Sequence, residues 1–248
     1  MGRANPAIAC GCGTRRWPWN YGIKEVIDRL GGATSLRRHG EATAASPVVN
    51  TWMSVMSTAN ITDSDFLADY VRRLHDATAL SDERLGWFRA ARDIWRETRA
   101  AGGRVVFIGN GGSAAIASHL ASDLSKAGGV PALCFSDASQ ITCLANDYGF
   151  ENWIAHALRL NCRASDSLVA ISSSGRSANI LNAVAAARRL EMKVVTLSGM
   201  EADNPLRRLG DVNLWLDSKA YNIIESAHQF WLMMVLDWII GQAEYKAN

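Results

Sequence analysis

The sequence lacks most of the features that assign function by themselves. No run of about 18 apolar residues occurs, so no membrane span is expected. The richest apolar stretch, 230–240, is short and interrupted by Asp237. An excess of one charge is missing too. The 26 Lys and Arg stand against 24 Asp and Glu, a formal net charge of +2, which gives no case for a nucleic-acid partner. Cysteines are few and odd in number: Cys10, Cys12, Cys134, Cys143 and Cys162. Cys10 and Cys12 have no second pair and no histidine near them, so a zinc site there is weakly supported. Reduced thiols of a cytosolic protein are the simpler reading. Arginines near the N-terminus are not followed by a continuous apolar stretch, so no secretory signal is expected. Charged residues make up only 20% of the chain, which suggests surface buried between subunits.

What is present points to one α/β domain with an appendage. The 248 residues, 48% of them hydrophobic, suffice for one core. Residues 1–59 mix Gly, Pro, Arg, Ser and Thr with isolated tryptophans. They read as an N-terminal extension, partly disordered or serving as an interface arm, with one short helix at 23–30. Residues 60–248 form the domain. Thr62 and Asp65 resemble a capping box. Phe66, Tyr70, Val71 and Leu74 then recur at helical spacing, and Leu85, Phe88, Ala91, Ile94 and Trp95 mark a second amphipathic helix. After these two leading helices, short apolar runs at 104–108, 132–135, 167–172, 193–198 and 212–216 alternate with helical segments. The helices are expected at 113–127, 141–146 continuing through 152–158, 177–190, 205–209 and 222–243. This order predicts a three-layer α-β-α sandwich around a five-stranded parallel sheet. Such sheets bind ligands at the carboxyl ends of their strands.

Two strand-to-helix junctions carry the chemistry. At 109–113 the chain reads Gly-Asn-Gly-Gly-Ser. Asn110, Gly111, Gly112 and Ser113 there permit a tight turn and offer free helix-start N–H groups to an anion. Neither a Gly-x-Gly-x-x-Gly pattern nor a Walker lysine is present, so dinucleotides and nucleoside triphosphates are not implied. The second junction holds Ser172, Ser173, Ser174 and Ser177 around Gly175. Hydroxyls and helix N–H groups together can ring a phosphate without a metal. Arg176 either adds a charged contact or faces solvent, and Asn179 bonds either a ligand or the loop. The alternative for the serines is helix capping alone.

These stretches resemble the sugar isomerase (SIS) family, and within it the phosphoheptose isomerases. The matching blocks are GNGGS at 109–113, SDASQITCLANDYGF at 136–150, SSSGRSANI at 172–180 and MKVVTLSG at 192–199. The resemblance implies the SIS-type, flavodoxin-like topology. It also implies a homotetramer with active sites at subunit interfaces and a sugar-phosphate ligand held by Ser113, Ser172, Ser174 and Ser177. The reaction it implies is the aldose–ketose interconversion of sedoheptulose 7-phosphate. Asp137 falls in a family-like block and is expected near sugar hydroxyls.

The same resemblance exposes departures. Where the family carries a glutamate that transfers a proton, this chain has Asp123, one turn after His119. Where the family has a Gln-Glu pair, a histidine and then a catalytic histidine, this chain has Glu225 and Ser226, His228 and Met233. Met233 cannot transfer a proton. Asp123, Glu225 and His228 are therefore the catalytic candidates, with a core or interface role as the alternative for His228. His119, Asp123 and Glu225 form a donor set that zinc would accept, although no cofactor is required. Loss of the usual acid/base pair leaves a second reading, a sugar-phosphate-binding or regulatory protein without turnover.

Overall fold

The computed structural model describes residues 62–245. The expected extension over residues 1–59 and its short helix lie outside them. Helix α1, Asp63–Thr78, begins with the capping box read from the sequence: Thr62 Oγ1 accepts from the Asp65 N–H, and Asp65 reaches back to the Thr62 N–H. Ser81 caps α2, Asp82–Ala100, by accepting from the Arg84 N–H, without a reciprocal bond. The two helices then diverge. Helix α2 buries Phe88, Ala91, Ile94 and Trp95, whereas α1 buries only Ala77 and leaves Phe66, Leu67 and Val71 more than half exposed.

From there the chain builds β1 (Val105–Ile108), α3 (Gly112–Lys126), β2 (Ala132–Cys134), α4 (Ala138–Tyr148), α5 (Trp153–Asn161) and β3 (Ser167–Ser172). It continues with α6 (Ala178–Arg189), β4 (Lys193–Ser198), a 3-10 turn at Pro205–Arg208, β5 (Val212–Trp215) and α7 (Tyr221–Ile240). All strand pairs are parallel, in the order β2-β1-β3-β4-β5. Two details differ from the sequence expectation. The helical segment near 141–158 is broken at Gly149, the C-cap of α4. The segment after Pro205 is too short for an α-helix and closes as a 3-10 turn capped by Asn204.

Side chains alternate across the sheet with period two. Phe107, Val169, Ile171, Val195 and Leu197 pack on one face against α2, α3 and α7. Val106, Ile108, Leu168, Ala170 and Val194 pack on the other against α5 and α6. Both faces are therefore covered, which is why the strands read as continuous apolar runs. Helix α7 is long and apolar enough to cross a membrane by length and composition. Its apolarity has a local cause here: Ile224, Ala227, Trp231, Leu232, Val235 and Leu236 belong to the core.

The topology also positions a crevice. From β1 the chain runs outward to β2, then crosses back to β3 on the other side of β1. The loops leaving the adjacent ends of β1 and β3 are thus drawn to opposite sides of one cleft. These are the two junctions singled out in the sequence.

Candidate functional site

The wall after β3 is a rigid turn. Gly175 has φ 63 and donates its N–H to the Ser172 carbonyl at 2.9 Å. A Cβ at this position would lie 2.0 Å from Asn204 Oδ1, so no side chain fits. Ser172 Oγ donates to Ser177 Oγ at 3.2 Å, and Ser174 Oγ accepts from the Arg176 N–H at 3.3 Å. Ser173 Oγ is buried without a partner among the described residues. Ser177 is the N-cap residue of α6, yet its side chain makes no capping bond. The helix start therefore keeps donors free for a ligand, which is a different arrangement from serines that only cap. Arg176 points away and pairs with Asp203 at 2.8 Å on the surface.

The wall after β1 is tied to the first. Asn110 and Asn179 exchange reciprocal amide bonds of 2.9 and 2.8 Å, so Asn179 staples the two junctions together. Gly111 has φ 53 and precedes α3, and Ser113 is buried beneath the turn. Between the walls lies a cavity of about 150 Å³ lined by Asn110, Ser113, Ile171, Ser172, Ser173, Ser174, Ser177, Tyr221 and Glu225. The serines expected to hold a phosphate thus converge on one space. A larger cavity of about 570 Å³ involves Gly112, His119, Asn222, Glu225, Ser226 and Gln229. Glu225 lines both. Its Oε2 would be 2.3 Å from a Cβ built on Gly112, so the carboxylate lies directly over the start of α3.

Other expected site residues fall elsewhere. His228 is fully buried; its Nε2 lies 3.1 Å from the Ser198 carbonyl, and the ring packs against Trp231. Burial pushes its pKa down to about 4, against the opposing pull of the Ser198 carbonyl. It lines neither cavity, so the expected role as acid or base is corrected to that of a core residue. Asp137 is exposed and caps α4 by accepting from the Gln140 N–H at 3.0 Å. The bond from the Ser139 hydroxyl, then that from Gln140, holds its carboxyl below the usual range. It lines neither cavity, and its Oδ1 serves the helix start. Met233 packs against the core cluster, with Gln229 Nε2 at 3.9 Å from its sulfur.

The donor set suggested for zinc is not assembled. His119 Nε2 is engaged by Asp123 Oδ2 at 3.0 Å. Glu225 sits at the opposite end of α3, over Gly112. Among the described residues no group of three His, Cys, Asp or Glu side chains converges as metal ligands. Within one chain these three residues do not fit a metal.

Sequence reasoning missed Tyr221 and Gln229. Each is one helical turn from Glu225 on α7, so the i±4 neighbours of an accepted candidate were the available signal. Gln229 Nε2 lies 3.4 Å from His119 Nδ1, linking α7 to α3 across the larger cavity.

Comparison with known proteins agrees with this architecture. A model of the SIS domain matches residues 65–199. The phosphoheptose isomerase of Escherichia coli K12 is 43% identical over 106 residues, 41% of this chain and 55% of that protein. The chain thus spans about half the length of the curated relatives it matches. The solved phosphoheptose isomerase GmhA from Neisseria gonorrhoeae is 30% identical, with a TM-score of 0.63 over 71% of this chain and 96% of that one. A phosphoheptose isomerase from Francisella tularensis is 27% identical, with a TM-score of 0.65 over 73% of this chain and all of that one. With the family model matching more than half of the chain and the GmhA fold matched almost end to end, this protein belongs to the SIS domain family.

Proposed function

We propose that the protein is a sugar-phosphate isomerase of the phosphoheptose isomerase type, interconverting an aldose and a ketose phosphate through an enediol. The observation that carries this reading is the convergence of Ser113, Ser172, Ser173, Ser174 and Ser177 on one cavity beside an uncapped helix start. That combination suits a phosphate dianion. The relatives are named as phosphoheptose isomerases, so a heptose phosphate is the substrate class, and sedoheptulose 7-phosphate is the one to try first.

The reaction needs a base for a proton on the carbon beside the carbonyl and an acid for the oxygen. Glu225 is the carboxylate on the path from the phosphate cradle into the larger cavity, and we assign it the proton transfer between C1 and C2. Asp123, oriented by His119, is the second carboxylate. It lies eleven residues along α3 from Gly112, about 16 Å at about 1.5 Å per residue. A seven-carbon chain with bonds of about 1.5 Å spans only about 9 Å. Asp123 thus serves a ligand held in a second copy of the chain. The exposed apolar side chains Phe66, Leu67 and Val71 on α1 and Phe230 and Trp238 on α7 suit such an assembly, and a tetramer in the cytoplasm is our reading.

The test is incubation with sedoheptulose 7-phosphate in deuterated water, following the C1 and C2 protons by NMR. Exchange with appearance of the aldose is expected. Binding without exchange would replace this reading with that of a non-catalytic sugar-phosphate-binding protein, which Met233 at the expected base position specifically favours.

A further inference from the structure

The two helix starts that flank the cleft differ in what faces them. The start of α6 is open toward the small cavity, since Ser177 makes no capping bond. The start of α3 is covered by the Glu225 carboxylate, whose Oε2 is 2.3 Å from the place of a Gly112 Cβ. A helix start attracts an anion, and at α3 the chain supplies its own. The nearby basic side chains are engaged elsewhere: Arg176 pairs with Asp203, and the His119 ring lies against Asp123. Among the described residues Glu225 forms no ion pair, and it is the one carboxylate shared by both cavities.

An ionised carboxylate only accepts hydrogen bonds. A ligand leaving the phosphate cradle past Glu225 must therefore present donors, as the hydroxyls of a neutral sugar do. A second phosphate, or a carboxylate, finds the α3 start already covered and meets a like charge in a confined space. Glutamine, which the phosphoheptose isomerase pattern carries at this place, would offer two N–H donors instead and no charge.

Resting on the sugar-phosphate reading above, we propose that Glu225 is a charge filter. It admits monophosphates of neutral sugars, whose hydroxyls it accepts, and rejects sugar phosphates that carry a second anionic group.

Calorimetric titration of the full chain tests this with sedoheptulose 7-phosphate, sedoheptulose 1,7-bisphosphate and inorganic phosphate. The wild type is expected to prefer the monophosphate by about tenfold or more, the scale of a like-charge penalty. Glu225→Gln, nearly isosteric, should bind the bisphosphate about tenfold more tightly than the wild type does, and inorganic phosphate more tightly by a few-fold. Glu225→Asp, which keeps the charge, should keep the preference. A bisphosphate-to-monophosphate ratio equal in wild type and Glu225→Gln, with phosphate binding intact, overturns the filter and leaves the sugar-phosphate reading standing. No binding of any of the three ligands to the wild type overturns both.

Discussion

The junctions after β1 and β3 begin alike in the sequence, each a glycine-bearing turn opening a helix, and they end up doing different work. After β3, the turn is locked by Gly175 against Asn204 and leaves the α6 start free. After β1, the turn at Gly111 stands in open space, and the α3 start is covered by Glu225. Helix-start physics alone assigns both an anion. Which anion, ligand or side chain, is decided by what a distant helix, α7, brings to the spot. The β3 junction therefore supplies the open helix start of the cradle, while the β1 junction adds Asn110 and Ser113 to it beneath a helix start that is already covered.

Glycine replacement should separate the two most strongly. Gly175→Ala puts a methyl group 2.0 Å from Asn204 Oδ1 on a backbone with φ 63. Asn204 is fully buried and donates to the Gly199 and Glu201 carbonyls, so it cannot step aside. A loss of about 2–4 kcal/mol in stability is expected, from backbone strain plus steric conflict, together with loss of phosphate binding. Gly111→Ala meets nothing within 4 Å and should lose less, about 1–2 kcal/mol, from the strain of a positive-φ backbone alone. Urea denaturation of both variants measures this, and equal losses would erase the distinction between the turns.

Helix α7 carries its own version of the contrast, with Glu225 at the cleft and His228 in the core. His228 has its pKa lowered from 6.5 to about 4 by burial, so the folded state resists its protonation while the unfolded state does not. Above pH 6.5 the ring is neutral in both states and exerts no penalty. As pH falls from 6.5 toward 4, stability should drop by up to about 1.4 kcal/mol per unit from this group, and no further below that window. His228→Gln removes the titration. Its stability deficit relative to wild type at pH 7 should therefore shrink steadily toward pH 4. A deficit independent of pH would place the ring in contact with water, back among the acid/base candidates.

Much of this arrangement was legible beforehand, and the exceptions share a cause. The three central runs became β1, β3 and β4 because they are buried on both faces, a condition that composition alone reveals, while the edge strands β2 and β5 are only partly buried. The serines of 172–177 reached one cavity because a strand end and a helix start fix them locally. Misplaced residues depended on rotation about a helix or on a competing local bond. His228 lies three residues past Glu225, about 60° round the helix, enough to turn it from cleft to core. Asp137 was drawn to its own helix start by Gln140 and Ser139. Phe66 and Val71 have the spacing of a core face, yet they stay exposed in the single chain, because periodicity says that a face is apolar and not what covers it.

A subtler effect is expected within the cradle itself. Ser174 lines the small cavity, and among the described residues its hydroxyl oxygen meets only the Arg176 N–H, at 3.3 Å. Its O–H is therefore available to a phosphate oxygen. A hydrogen bond to a charged group contributes about 1.5–3 kcal/mol, so Ser174→Ala should weaken sugar-phosphate binding by about tenfold or more while leaving the unphosphorylated sugar unaffected. Unchanged affinity in a folded variant would mean that the hydroxyl serves only the turn.

The smallest expected effect belongs to the residue that looks most like a phosphate ligand on paper. Arg176 is the only cation between Ser172 and Ser177, and guanidinium groups commonly bind phosphate in forks. Here its NH2 group pairs with Asp203 at 2.8 Å, with side chains 52% and 74% exposed, and it does not line the cavity. An exposed pair of this kind contributes about 0–1 kcal/mol to stability. The cradle instead relies on hydroxyls and helix-start N–H groups, which carry no net charge and are little affected by salt screening at short range. Arg176→Ala should therefore change sugar-phosphate affinity by less than about threefold, through long-range attraction that fades at high salt. A tenfold loss that persists at high salt would show that Arg176 leaves Asp203 and closes on the ligand, and the neutral cradle would then have to be redrawn as a charged one.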